Sequence, residues 1–257
     1  MTAFYVPLGD EAFEAQPCTR GPWAATHQHG SPPIALMVRA AERLVPHARP
    51  LRWTVDLARP VPLGRVDVRA ECLREGRRTS LVAAEVTVNG RACFSARILM
   101  VVPVSDAPEA TAEKAEFREG TPFQFPFFPW DVGFHTAVEA RRIEGEPGAG
   151  DLRVWLRLRV ALVEGEAVTP MQRVAALTDA GSGVGWGLDT RVWTFLNADL
   201  DQHVVRAPRG EWLGLHARTR RAHDGVGLAR TEVFDADGVI GDVQQGLVLA
   251  RAAQTLA

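Results

Sequence analysis

Two stretches of this chain carry one pattern of residues. Residues 59–97 and 206–244 align with Pro62 on Pro208 (208 − 62 = 146) and Gly64 on Gly210 (146). Further along, Glu85 falls on Glu232 (147) and Gly90 on Gly238 (148), a drift that small loop insertions explain. The period is far too long for a solenoid and has the size of a small domain. It constrains the fold to one unit, duplicated and fused.

Each copy reads as a helix followed by strands. In the first, Leu36, Met37, Ala40, Ala41 and Leu44 recur at helical spacing across 33–44, giving one apolar face. Ser31 reads as its cap, with Pro32 and Pro33 in the first turn. Alternating stretches at 51–57, 66–73, 80–88 and 92–102 read as strands. Asn89-Gly90 marks a hairpin between the last two, because both residues tolerate positive φ.

In the second copy, 134–141 and 152–160 read as strands. A helix is expected at 170–179 with Thr169 as its cap, broken by the glycines at 181, 183, 185 and 187. Strands follow near 193–196, 212–218, 227–234 and 239–249. Pro33 aligns with Pro170 (170 − 33 = 137). Helix plus antiparallel sheet, made twice, is an α+β architecture: an N-terminal repeat over 1–104, a linker over 105–130 and a C-terminal repeat over 131–257. The aromatic run Phe123–Trp130 reads as packing over an apolar groove, or as the wall of an acyl pocket.

Composition narrows the function classes. A net charge of −2, with the Arg residues interleaved among acids, gives no electrostatic case for nucleic acid or an anionic membrane. No stretch approaches ~20 apolar residues, so no helical span is expected. The N-terminus lacks a basic start and an apolar run, and three widely spaced cysteines suggest neither metal nor disulfide framework; the expectation is a reduced, cytoplasmic protein. The seven histidines are dispersed, which argues against zinc. The loop 181–187 resembles a dinucleotide loop, but it follows a helix and has Trp186 where Gly is required. No G-x-S-x-G elbow occurs.

The pieces His29-Gly30-Ser31-Pro32-Pro33, Arg59-Pro60-Val61-Pro62-Leu63-Gly64, Leu177-Thr178-Asp179-Ala180-Gly181, Arg206-Ala207-Pro208-Arg209-Gly210 and Val243-Gln244-Gln245-Gly246, in that order, resemble the acyl-CoA thioesterase II-like family of double hotdog proteins. The resemblance covers nearly the whole chain. It implies two fused hotdog repeats, each a long helix wrapped by an antiparallel sheet. It also implies water-mediated hydrolysis of an acyl-CoA, with no cofactor and no metal, in a homo-oligomer, expected to be a dimer.

The family holds its water with an Asp, a Ser or Thr, and a Gln. Carried over, these are Asp179, Asn197 and Gln244, so Asn197 departs from the family's hydroxyl. Gln245 stands where the family often has Glu and is expected on the opposite face of the strand. The substrate-binding candidates are His29, Gly30 and Thr194, with backbone N–H groups near Gly30 facing the developing oxyanion. Asp179 is notable on its own account, because a carboxylate closing an apolar helical run is costly to bury without partners. Glu42 is its repeat counterpart (42 + 137 = 179) and reads as an ordinary surface acid between Arg39 and Arg43. Two other classes stay open. A hotdog hydratase or dehydratase pairs its Asp with a His a few residues along, and the residues 180–185 after Asp179 contain none. A non-catalytic acyl-thioester binding protein is left open by Asn197.

Overall fold

The computed structural model of the chain describes residues 2–104 and 119–252. Most of the linker expected over 105–130, namely 105–118, lies outside the described residues. The chain begins with β1 (Ala3–Gly9), β2 (Ala12–Ala15), α1 (Ser31–Leu44) and β3 (Arg49–Leu57). Then come β4 (Gly64–Arg74), β5 (Thr79–Val88), β6 (Arg91–Val101) and β7 (Thr121–Phe123). The second part comprises α2 (Phe134–Ala137), β8 (Val138–Gly145), β9 (Asp151–Leu158), β10 (Ala161–Val163), α3 (Pro170–Thr178) and α4 (Gly181–Val184). It ends with β11 (Trp193–Asn197), β12 (Asp199–Val204), β13 (Leu213–Arg221), β14 (Val226–Asp235) and β15 (Gly238–Arg251).

The strands form one sheet in the order β10-β1-β2-β4-β5-β6-β3-β12-β15-β14-β13-β9-β8-β7, with β11 paired on β15. Read outward from its middle, this order is the same on both sides: β3-β6-β5-β4 is matched by β12-β15-β14-β13. The halves join where β3 pairs antiparallel with β12, Val55 opposite Leu200. They interlock at one edge, where β10 runs parallel to β1. Gly90 and Gly238 both have positive φ at the hairpins that the repeat alignment equates. This is the double hotdog architecture, and the aligned positions Ala35 and Gln172 (35 + 137 = 172) lie on its two equivalent helices.

Ile34, Ala35, Leu36, Met37 and Val38 of α1 are all at most 1% exposed. A helix buried all round in this way must be wrapped on every side, here by the sheet and by α3. The helices run antiparallel. The N-terminus of α1 meets the C-terminus of α3 at Gly30 and Asp179, and Glu42, near the other end of α1, meets Thr169 at the start of α3. Thr169 caps α3 through a reciprocal pair of bonds. Its Oγ1 accepts from the Gln172 N–H at 3.1 Å, and its own N–H donates to Gln172 Oε1 at 3.3 Å.

Several local expectations need correction. Ser31 is the first residue of α1 rather than its cap; Gly30 holds that position without a side-chain bond. Leu44 is exposed, because the last turn of α1 emerges from the sheet. Residues 134–137 form a helical turn ahead of β8. Glu42 is no ordinary surface acid. It accepts from Thr169 Oγ1 and Gln172 Nε2, both at 2.8 Å, and burial raises its pKa. The short strands β1, β2, β7, β10 and β12 have no counterpart in the sequence reading; three to seven residues carry too little periodicity to separate strand from loop.

Candidate active site

Asp179 follows the last turn of α3 and is 3% exposed. A carboxylate held so deep requires donors. Three groups from three elements supply contacts. Asn197, the last residue of β11, donates from Nδ2 to Asp179 Oδ1 at 2.6 Å. Gln245 of β15 donates from Nε2 to the same oxygen at 3.2 Å and to the Asp179 carbonyl at 2.9 Å. His29, before α1, places Nδ1 3.2 Å from Oδ2. The first repeat thus contributes one flank of a site whose carboxylate belongs to the second.

The glutamine at the carboxylate is Gln245, not Gln244. Gln244 is exposed, on the other face of β15, between Asp201 of β12 and Arg230 of β14. Side chains alternate faces along a strand, so a shift of one residue reverses the assignment. The inward set is Val243, Gln245 and Leu247, all buried. Gln245 Oε1 accepts the Ser182 N–H of α4 at 3.0 Å, so its amide joins α4 to the carboxylate. Gly181 makes room for this: a Cβ there would stand 2.4 Å from Thr231 Oγ1 and 3.0 Å from Gln245 Oε1.

Gly30 is required for a similar reason. A Cβ on it would meet Asp179 Oδ2 at 2.6 Å, so only glycine lets the carboxylate approach the start of α1. The two prolines that follow have no N–H. The His29 N–H donates to the Thr19 carbonyl at 2.7 Å and the Ser31 N–H to His29 Nδ1 at 3.1 Å. Neither bond engages the N–H of Gly30, which sits between them beside the carboxylate.

The His29 ring lies flat against Phe134, centroids 4.0 Å apart. Burial lowers its pKa, with the Asp179 charge opposing. Its Nδ1 has a donor on one side, the Ser31 N–H, and an acceptor on the other, Asp179 Oδ2. Protonated at Nδ1 the ring donates to the carboxylate; unprotonated there, it accepts from Ser31. Thr194 is placed otherwise than expected. It is buried in β11, its hydroxyl donates to the Ala250 carbonyl at 3.3 Å, and it does not line the cavity.

A cavity of about 580 Å³ opens over these groups. His29, Gly30, Asp179, Ser182 and Asn197 form its polar end, while Trp23, Phe127 and Phe195 line it elsewhere. Asn197 Oδ1 is buried with no partner, leaving an acceptor beside the Asp179 carboxylate. Among the described residues no group of three or more His, Cys, Asp or Glu is placed to hold a metal ion, and no helix is long and apolar enough to cross a membrane. The arrangement suits the activation of a water by a carboxylate.

Residues 19–101 match the model of the acyl-CoA thioesterase N-terminal domain and residues 106–249 that of the acyl-CoA thioesterase C-terminal domain. No curated protein matches the sequence. Among solved structures, the chain resembles the acyl-CoA thioesterase II TesB2 of Mycobacterium marinum (TM-score 0.69, 15% identity, 96% of this chain and 94% of that one). It resembles equally a tesB protein of Mycobacterium avium subs paratuberculosis (0.69, 18%, 96% and 95%). A conserved hot dog protein of unknown function from Alicyclobacillus acidocaldarius is similar as well (0.72, 16%, 95% and 95%). Matched through both of its repeats, the chain belongs to the acyl-CoA thioesterase family, and it is a thioester hydrolase of the double hotdog fold.

Proposed function

We propose that the chain hydrolyses an acyl-CoA to the free acid and CoA with a water activated by Asp179. The observation that carries this reading is the buried Asp179 carboxylate at the polar end of the cavity, flanked by His29, Asn197 and Gln245. Asn197 and Gln245 both donate to Oδ1 and orient the carboxylate. Oδ2 takes a proton from the attacking water, and the orphan Oδ1 of Asn197 accepts the water's other hydrogen. The new C–O bond places negative charge on the former carbonyl oxygen, which the Gly30 N–H stabilises. Collapse breaks the C–S bond, and the proton held on Asp179 passes to the departing thiolate. Asn197 supports positioning without a hydroxyl, because an amide offers both a donor and an acceptor.

One observation favours a second reading. No histidine stands in the residues 180–185 that directly follow Asp179, but the fold brings His29 to within 3.2 Å of it, and an Asp–His pair can add water across an enoyl thioester or remove it. Free-thiol release and loss of enoyl absorbance, followed on one enoyl-CoA, separate the two. Thiol release abolished by Asp179→Asn supports hydrolysis. Enoyl loss without thiol release supports hydration.

A further inference from the structure

Three rings from three parts of the chain meet at the cavity. Trp23 comes from the loop before α1, Phe127 from the segment between β7 and α2, and Phe195 from β11. Trp23 and Phe127 stack with centroids 5.7 Å apart; Trp23 and Phe195 meet edge-on at 5.0 Å, Phe127 and Phe195 at 5.7 Å. Trp186 backs Phe127 edge-on at 5.5 Å. Gly183 of α4 lets Phe127 lie close: a Cβ there would stand 3.3 Å from its Cζ. The rings pack on one another, so together they form an aromatic wall of the cavity.

The distance from this wall to the chemistry follows from strand geometry. Phe195 and Asn197 are two residues apart on β11 and face the same side, a spacing of roughly 7 Å. Asn197 lies against Asp179. A thioester carbonyl at Asp179 therefore has the wall within reach of a group attached directly or through one methylene. A flat ring there makes edge and face contacts that a flexible chain of equal size does not.

We infer that the site selects aryl acyl groups, aroyl or arylacetyl thioesters, over straight aliphatic ones. The inference rests on the proposed hydrolysis for its location in the cavity. Its test compares kcat/KM for phenylacetyl-, benzoyl-, hexanoyl- and palmitoyl-CoA in the wild type and in Phe127→Leu and Phe127→Ala. Expected is a preference of about tenfold or more for an aryl substrate over hexanoyl-CoA, the scale of one or two added ring contacts. Phe127→Leu should erase that preference, and Phe127→Ala should raise palmitoyl-CoA relative to the aryl substrates. Hexanoyl- or palmitoyl-CoA equal to or better than the aryl pair, or a ratio unmoved by Phe127→Leu, overturns it. If no substrate releases CoA, the hydrolytic reading fails, and quenching of Trp fluorescence by non-hydrolysable phenylacetyl and hexanoyl thioether analogues of CoA decides the inference separately. Tighter aryl binding upholds it; equal or absent binding overturns it.

Discussion

His29 Nδ1 stands 3.2 Å from Asp179 Oδ2, one residue from each repeat, across the meeting point of two antiparallel helices. The same antiparallel contact at its other end brings Glu42 to Thr169 and Gln172. The two ends are related by the repeat but differ in chemistry. At one, the carboxylate faces a cavity; at the other, the carboxylate accepts hydrogen bonds from the residues that cap α3.

Replacing Asp179 by Asn should lower CoA release by roughly a hundredfold or more, the scale of a lost general base. The amide keeps the shape of the side chain, so circular dichroism should be unchanged. Retention of wild-type turnover in a folded variant would exclude Asp179 as the base.

Gln244→Ala and Gln245→Ala form a pair of neighbours with opposite expectations. The exposed Gln244 should change stability by no more than about 0.5 kcal/mol and leave turnover near wild type. Loss of the Gln245 amide removes the partner of the Ser182 N–H and of the Asp179 carbonyl and one of the two donors to Asp179 Oδ1, a cost of about 1–3 kcal/mol, and turnover should fall. Urea unfolding and steady-state kinetics on both variants give the comparison.

Gly30→Ala tests the close approach at the start of α1. A methyl placed 2.6 Å from Oδ2 must push the carboxylate away. Activity should fall well over tenfold, with a stability loss of about 1–3 kcal/mol from overpacking. A fully active Gly30→Ala enzyme would show that Asp179 can work from elsewhere.

Stability should decline on acidification. Burial holds the pKa of His29, and that of His135, below the ordinary 6.5. The unfolded chain therefore binds more protons than the folded one once pH falls through about 6.5. Stability is full above that value and is lost below it, down towards the lower folded pKa values. Melting temperatures from pH 8 to pH 5 should show this fall, and His29→Gln should flatten it, leaving the His135 part. An unchanged slope in His29→Gln would place the titration on other groups.

The repeat was legible because loops between strands can lengthen without disturbing the positions that demand glycine or proline. Gly90 and Gly238 kept their places at hairpins with positive φ, and Thr169 and the prolines at 32, 33 and 170 marked the helix starts. Asp179 also stood out, as an acid closing an apolar run. Gln245 was harder to place. Its neighbour Gln244 has the same side chain, and only the pairing of β15 with β12 and β14 determines which of the two faces inward. Glu42 was misread because its Arg neighbours suggested solvent, whereas α3 covers it.

By itself the sequence determined what is local or periodic: two copies of one helix-and-strand unit, the turns that end them, and a carboxylate in an apolar setting. Tertiary structure decided what depends on residues far apart in the chain. It brought His29 and Gly30 to Asp179, turned Gln245 rather than Gln244 inward, and assembled Trp23, Phe127 and Phe195 into one wall. The physical reason is that side-chain periodicity says which residues share a face, while the strand register and the packing of α1 on α3 decide what that face meets.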